Sequence, residues 1–132
     1  MKLEFLVDIS DRGKFSQAVS ERLIRLYDFD SLQALRLKNA IETDLVKKGN
    51  AVDLASLDFV EPLNCNLIFR LSDENKGAIA DDNSNFYCYL TIESYKNMLS
   101  LIAPFCNGAD GYQWLYEVDC AVDLLFSPGG TW

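Results

Sequence analysis

Hydrophobic positions along the chain switch between two periods, and the switches divide it into elements. Leu3, Phe5 and Val7 alternate with Glu4 and Asp8, which predicts a first strand over about residues 2–8. Phe15, Val19, Leu23 and Leu26 then recur at three- and four-residue spacing, so a helix is expected from Ser10 or Asp11 to about Tyr27. Asp30, with Gln33 three residues on, has the capping-box pattern of a second helix whose buried stripe is Leu37, Ile41 and Leu45. Lys47 and Lys48 fall where the partial negative charge of a helix end favours cations, and Gly49-Asn50 supplies the stop. Residues 51–62 predict a short turn or helical piece.

Period two returns at Cys65, Leu67, Phe69 and Leu71, with Asn64, Asn66 and Arg70 on the opposite face. The stretch 72–85 is polar, acidic and glycine-containing, and predicts a long exposed loop. Phe86, Cys88 and Leu90 mark the buried face of the next strand, opposite Tyr87, Tyr89 and Thr91. Thr91 is also placed to cap a third helix through Tyr95, Met98, Leu99 and Ile102, closing near Pro104. Beyond the turn at 107–111 two extended runs are expected, Tyr112 to Val118 and Val122 to Phe126, separated by a hairpin turn or a bulge at 119–121. The order β-α-α-β-β-α-β-β implies an α+β fold, a mostly antiparallel sheet of about five strands with about three helices on one side. No repeat, low-complexity segment or linker interrupts the pattern, so residues 1–132 are read as a single domain.

Composition narrows the chemistry. The chain of 132 residues is 49% apolar, enough for a hydrophobic core of its own. It contains no histidine. That removes Ser-His-Asp and Cys-His catalysis and most transition-metal sites, whereas carboxylate-only mechanisms survive. Cys65, Cys88, Cys106 and Cys120 form no C-x-x-C pair and read as small core residues. No catalytic residue, metal site or cofactor is therefore expected. No apolar run approaches the roughly 20 residues that span a bilayer, and the first eight residues are short and acidic for a secretory signal. A cytoplasmic location is expected.

Charge adds a direction. The net charge is −8, and it is uneven: residues 1–60 hold nine Lys/Arg against ten Asp/Glu, residues 61–132 only three against ten. Such a chain suits neither nucleic acid nor anionic membrane, whose phosphates call for Lys and Arg. The acidity either keeps the protein soluble and no more, or gives the second half a negative face for a basic partner. Eleven of the sixteen aromatic residues also lie after residue 60. Tyr87 and Tyr89 share the strand face left over by Phe86 and Cys88, and Tyr112, Trp114 and Tyr116 are expected on one face opposite Gln113, Leu115 and Glu117. Exposed tyrosines beside carboxylates are what protein interfaces favour. The candidate partner-binding residues are Asp73, Glu74, Asp81 and Asp82 on the long loop, with Tyr87, Tyr89 and Glu117 as neighbours. The loop lacks the D-x-D-x-D-G spacing of a calcium loop, so it is read as a solvated acidic loop rather than a cation site.

The segment Gly111-Tyr112-Gln113-Trp114-Leu115-Tyr116-Glu117, leading into Leu124-Leu125-Phe126-Ser127-Pro128-Gly129-Gly130-Thr131-Trp132, completes a whole-chain profile of small size, acidity and few catalytic groups. In that profile the chain resembles the immunity proteins of bacterial contact-dependent growth inhibition and related polymorphic toxin systems. The resemblance implies a cytoplasmic inhibitor that binds a cognate toxin domain, often a basic nuclease, and blocks or distorts its active site. The alternative is a small-molecule-binding domain or carboxylate-dependent enzyme with a cleft between helices and sheet.

Overall fold

The computed structural model describes residues 1–7, 22–81 and 83–132. In chain order the strands are β1 (Lys2–Val7), β2 (Arg22–Tyr27), β3 (Val52–Asp53), β4 (Glu61–Pro62), β5 (Asn66–Leu71), β6 (Gly77–Ala80), β7 (Asn85–Leu90), β8 (Gln113–Trp114) and β9 (Asp123–Phe126). The α-helices among the described residues are α1 (Ser31–Ala40) and α2 (Ile92–Ile102). Two sheets divide the strands, in the orders β4-β1-β2-β9-β8 and β3-β5-β7-β6. Both are mixed. β1 pairs antiparallel with β2 but parallel with β4, and β2 pairs parallel with β9. In the second sheet β5 and β7 run parallel at the centre, flanked by antiparallel β3 and β6.

The α+β class is as expected. The single, mostly antiparallel sheet of about five strands with three helices is not, and each departure has a local cause. Arg22–Tyr27 is a strand rather than the end of a helix. Ile24 and Leu26 face the main core while Leu23 lies in a second small cluster with Leu125. With both faces covered, the apolar residues lose their period-two alternation and imitate a helical spacing. The rest of that expected helix, including Phe15 and Val19, lies outside the described residues, as does Asp8.

The long loop expected at 72–85 holds a strand at its middle, β6. Its residues, Gly77-Ala78-Ile79-Ala80, carry little strand preference of their own and are ordered by pairing with Tyr89 to Phe86 of β7. The two C-terminal runs shrink to β8 and β9, which pair antiparallel across the long connection 115–122. Tyr112, Trp114 and Tyr116 consequently share no face: Tyr112 is exposed, Trp114 half-buried and Tyr116 buried in the main core.

The expected helix caps form. Asp30 accepts from the Gln33 amide at 2.8 Å, and the Gln33 side chain accepts from the Asp30 amide at 3.3 Å. Gln33 Oε1 also receives the Met1 ammonium group at 3.2 Å. α1 then widens into a π-helical stretch, Ile41–Lys47. Glu42 lies 3.7 Å from Lys38, four residues before it, and the π-helical turn, which brings residues five apart onto one face, sets it 3.5 Å from Lys47. Gly49, at φ +72°, ends the helix as its left-handed conformation requires.

One core joins the two sheets and both helices. Leu3, Ile24 and Phe126 of the first sheet meet Leu67, Phe69 and Cys88 of the second, together with Leu37 and Ile41 of the first helix and Met98 and Ile102 of α2. Tyr95 of α2, fully buried, aims its hydroxyl at the second sheet. It accepts from the Arg70 amide at 3.1 Å and lies 2.7 Å from the Cys88 carbonyl, which fixes α2 against β5 and β7.

Candidate partner-binding cleft

α2 begins at Thr91, directly after β7, and its first turns form one wall of a solvent-open cleft of about 400 Å³. Thr91 Oγ1 accepts from the Ser94 amide at 3.3 Å, capping the helix. Asn75 then ties the preceding loop to this cap, its Oδ1 accepting from the Thr91 amide at 2.9 Å and from the Ser94 hydroxyl at 2.8 Å. A side-chain oxygen that takes a free helix-end amide fixes the loop at little cost, because that amide lacks a partner within the helix. Asp73 and Glu74, both exposed, are carried on the same short loop.

The facing wall is residues 113–118. β8 anchors it through pairing with β9, and the Leu115 amide donates to the Leu124 carbonyl at 2.9 Å. Trp114 stands half-buried between two other rings, its centroid 6.3 Å from Tyr112 and 6.5 Å from Trp132, edge-on to both. Tyr116 turns inward. Its hydroxyl donates to the Val122 carbonyl at 2.5 Å and accepts from the Ala78 amide at 3.3 Å, on the edge strand β6. Leu101 and Val118 supply apolar lining, and Asn97 and Gln113 polar lining.

The side chains lining this cleft that are charged at neutral pH are two carboxylates, Glu93 and Glu117, both exposed. Lys96 stands 4.0 Å from Glu93, an exposed contact of the kind that contributes little. Of the six ion pairs seen among the described residues, the other five join residues of the first half of the chain. The positive end of α2 opposes the two acids, but it amounts to about half a unit charge and is already capped. The cleft is therefore negative.

The candidate residues read from sequence separate into three places. Glu117 lines the cleft, and Asp73 and Glu74 are exposed on the loop that precedes its lining residue Asn75. Asp81 sits at the other end of β7, a strand of six residues, roughly 17–20 Å long. Its Oδ1 accepts from the Asn83 amide at 2.8 Å and the Asn85 amide at 3.0 Å, and these bonds hold the carboxyl below its ordinary pKa. That carboxylate shapes the β6–β7 turn. Asp82 lies outside the described residues. Tyr87 and Tyr89 occupy the outer face of the second sheet, where cations meet them: the Arg70 guanidinium is 5.1 Å from the Tyr87 ring and the Lys76 ammonium 5.9 Å from that of Tyr89.

Two cleft residues escaped the sequence reading. Glu93 lies in the first turn of a helix, where an acid is ordinary, and Asn75 reads as a loop residue until its partners are seen. Burial pushes the Cys65 and Cys88 thiols up to about 12, so both stay neutral thiols near neutral pH. Among the described residues, no group of three or more His, Cys, Asp and Glu is placed to hold a metal ion, and no helix is long and apolar enough to cross a membrane.

Comparisons with known proteins return no matching family model, no matching curated protein and no matching solved structure.

Proposed function

We propose that the chain is an immunity protein: a cytoplasmic, non-catalytic inhibitor that binds a cognate bacterial toxin domain, a basic nuclease, and blocks it. The observation that supports this reading best is the acidic cleft, where the carboxylates of Glu93 and Glu117, from two separate segments, line a solvent-open concavity with an aromatic wall. A nuclease domain carries cations that hold phosphate, and carboxylates on a complementary surface take the place of that phosphate. The long-range field also steers the encounter, raising association rates by roughly 10 to 10³ at low salt.

The test is co-expression of the tagged chain with the product encoded immediately upstream, followed by pull-down and a nuclease assay. A stoichiometric complex weakened by salt, with the partner's activity suppressed, is the expected result. A partner that neither binds nor is inhibited at low salt would overturn the reading. The cleft volume also lies within the roughly 300–1,000 Å³ of small-ligand sites. A carboxylate-dependent small-molecule domain is the second reading, and saturable stabilisation by a polar metabolite library without a protein partner would favour it.

A further inference from the structure

We infer that the cleft receives an arginine side chain from an extended segment of the partner, with the guanidinium between Trp114, Glu93 and Glu117. The inference rests on the proposal that the chain binds a basic protein, and it names the point of contact. Three features of the cleft converge on that group.

The carboxylates of Glu93 and Glu117 stand on opposite walls, one on α2 and one on the 113–118 segment. A planar cation with donors on both sides can bond both at once, whereas an ammonium offers a single point charge. Trp114 provides the aromatic face that a guanidinium stacks on, and it is held in place by Tyr112 and Trp132. β8, which carries Trp114, is the edge strand of the first sheet. At this edge the Trp114 carbonyl already accepts from the Gln113 side chain at 3.1 Å, so an extended chain that adds along the edge displaces that amide as its arginine reaches the cleft. An anionic guest meets two carboxylates here, and an apolar guest leaves them unpaired.

The probe is a capped, glycine-flanked arginine peptide, titrated against the isotope-labelled protein. The comparators are the same peptide with lysine, citrulline or glutamate in place of arginine. The expected result is saturable movement of the Trp114 indole N–H and Asn97 side-chain resonances. The side chain of Asn64, bonded to Phe5 of β1 away from the β8 edge, should not move. Citrulline has the same shape without the charge and should bind at least tenfold more weakly. The double variant E93Q/E117Q, which alters two exposed side chains and keeps their size, should lose at least tenfold in affinity for the arginine peptide.

Equal binding of the citrulline or glutamate peptide, or of the double variant, would overturn the inference. So would an arginine peptide that leaves Trp114 unmoved. The two proposals fail separately. A toxin partner that binds the double variant as tightly as the native chain removes the arginine site and keeps the inhibitor. An arginine peptide that binds while the upstream product does not removes the inhibitor and keeps the site.

Discussion

Replacing Tyr116 by Phe isolates one hydroxyl that joins the 113–118 wall to the second sheet. The ring stays, so packing against the core is kept and no cavity opens. What is lost is a donor to the Val122 carbonyl and an acceptor for the Ala78 amide. The Val122 carbonyl retains the Cys120 thiol, 3.1 Å away. The Ala78 amide points away from β7 at the sheet edge and loses its partner outright. A buried amide left unsatisfied costs about 1–3 kcal/mol. At about 3–4 °C of melting temperature per kcal/mol for a chain of this size, the expected drop is roughly 3–12 °C. Calorimetry and urea unfolding measure it, with an unchanged urea slope showing that the denatured state is unaltered. Tyr87→Phe, on the outer sheet face, is the control and should stay within about 0.5 kcal/mol of native. A Tyr116→Phe variant as stable as that control would refute the reasoning, because it would mean water already satisfies the Ala78 amide.

Gly77→Ala tests the same corner sterically. Gly77 has φ +73°, and an added Cβ would lie 2.6 Å from the Cys120 sulfur. The left-handed conformation alone costs an L-residue roughly 1–2 kcal/mol, so a larger total loss is expected. Adding Cys120→Ala should recover the part due to the sulfur but neither the 3.2 Å contact with the Cβ of residue 120 nor the backbone part, a coupling that a double-mutant cycle reads; complete additivity would refute the contact. The Cys65 and Cys88 thiols, pushed up to about 12 from 9.0, contribute stability that is present below pH 9.0 and lost as pH rises towards their folded values. Burial raises Tyr95 and Tyr116 as well, so the loss should be steep in alkali. Unfolding monitored by tyrosinate absorbance checks this, and stability flat to about pH 11 would contradict it. Asp81→Ala should speed hydrogen exchange at the Asn83 and Asn85 amides. In the native chain the shift of Asp81 is downward, so its stabilisation is present above the ordinary carboxylate value and fades as pH falls through the lowered one. Unchanged exchange at both amides would show that the turn holds without it.

Elements whose signals are local were readable in advance. The Asp30 and Thr91 caps, the stop at Gly49 and the buried face of β7 depend on side chains a few residues apart and form as their spacing demands, whereas on β5 Leu67 and Phe69 are buried but Leu71 is exposed and Ile68 of the opposite face is buried. The errors fall where a distant strand decides. Leu23 and Leu26 read as a helical stripe because nothing near them reveals that β1 and β9, remote in sequence, flank the segment on both sides. Likewise the Gly77–Ala80 stretch has the composition of a loop, and only the neighbouring β7 makes it a strand.

The candidate site divides on the same line. From the sequence come the acidity of the second half, its aromatic load and the absence of histidine, which together favour binding a basic partner over catalysis. Which acids act together was settled by topology. The fold of β7 into α2 and the β8–β9 pairing bring Glu93, Glu117 and Trp114 to one cleft, with Asn75 of the preceding loop tied to it, whereas Asp81 is carried to the far end of the strand and committed to a turn. Charge and hydropathy are summed along a chain, so the sequence alone fixes their totals. A cleft depends on directions in space, and those arise only when strands far apart in sequence pair.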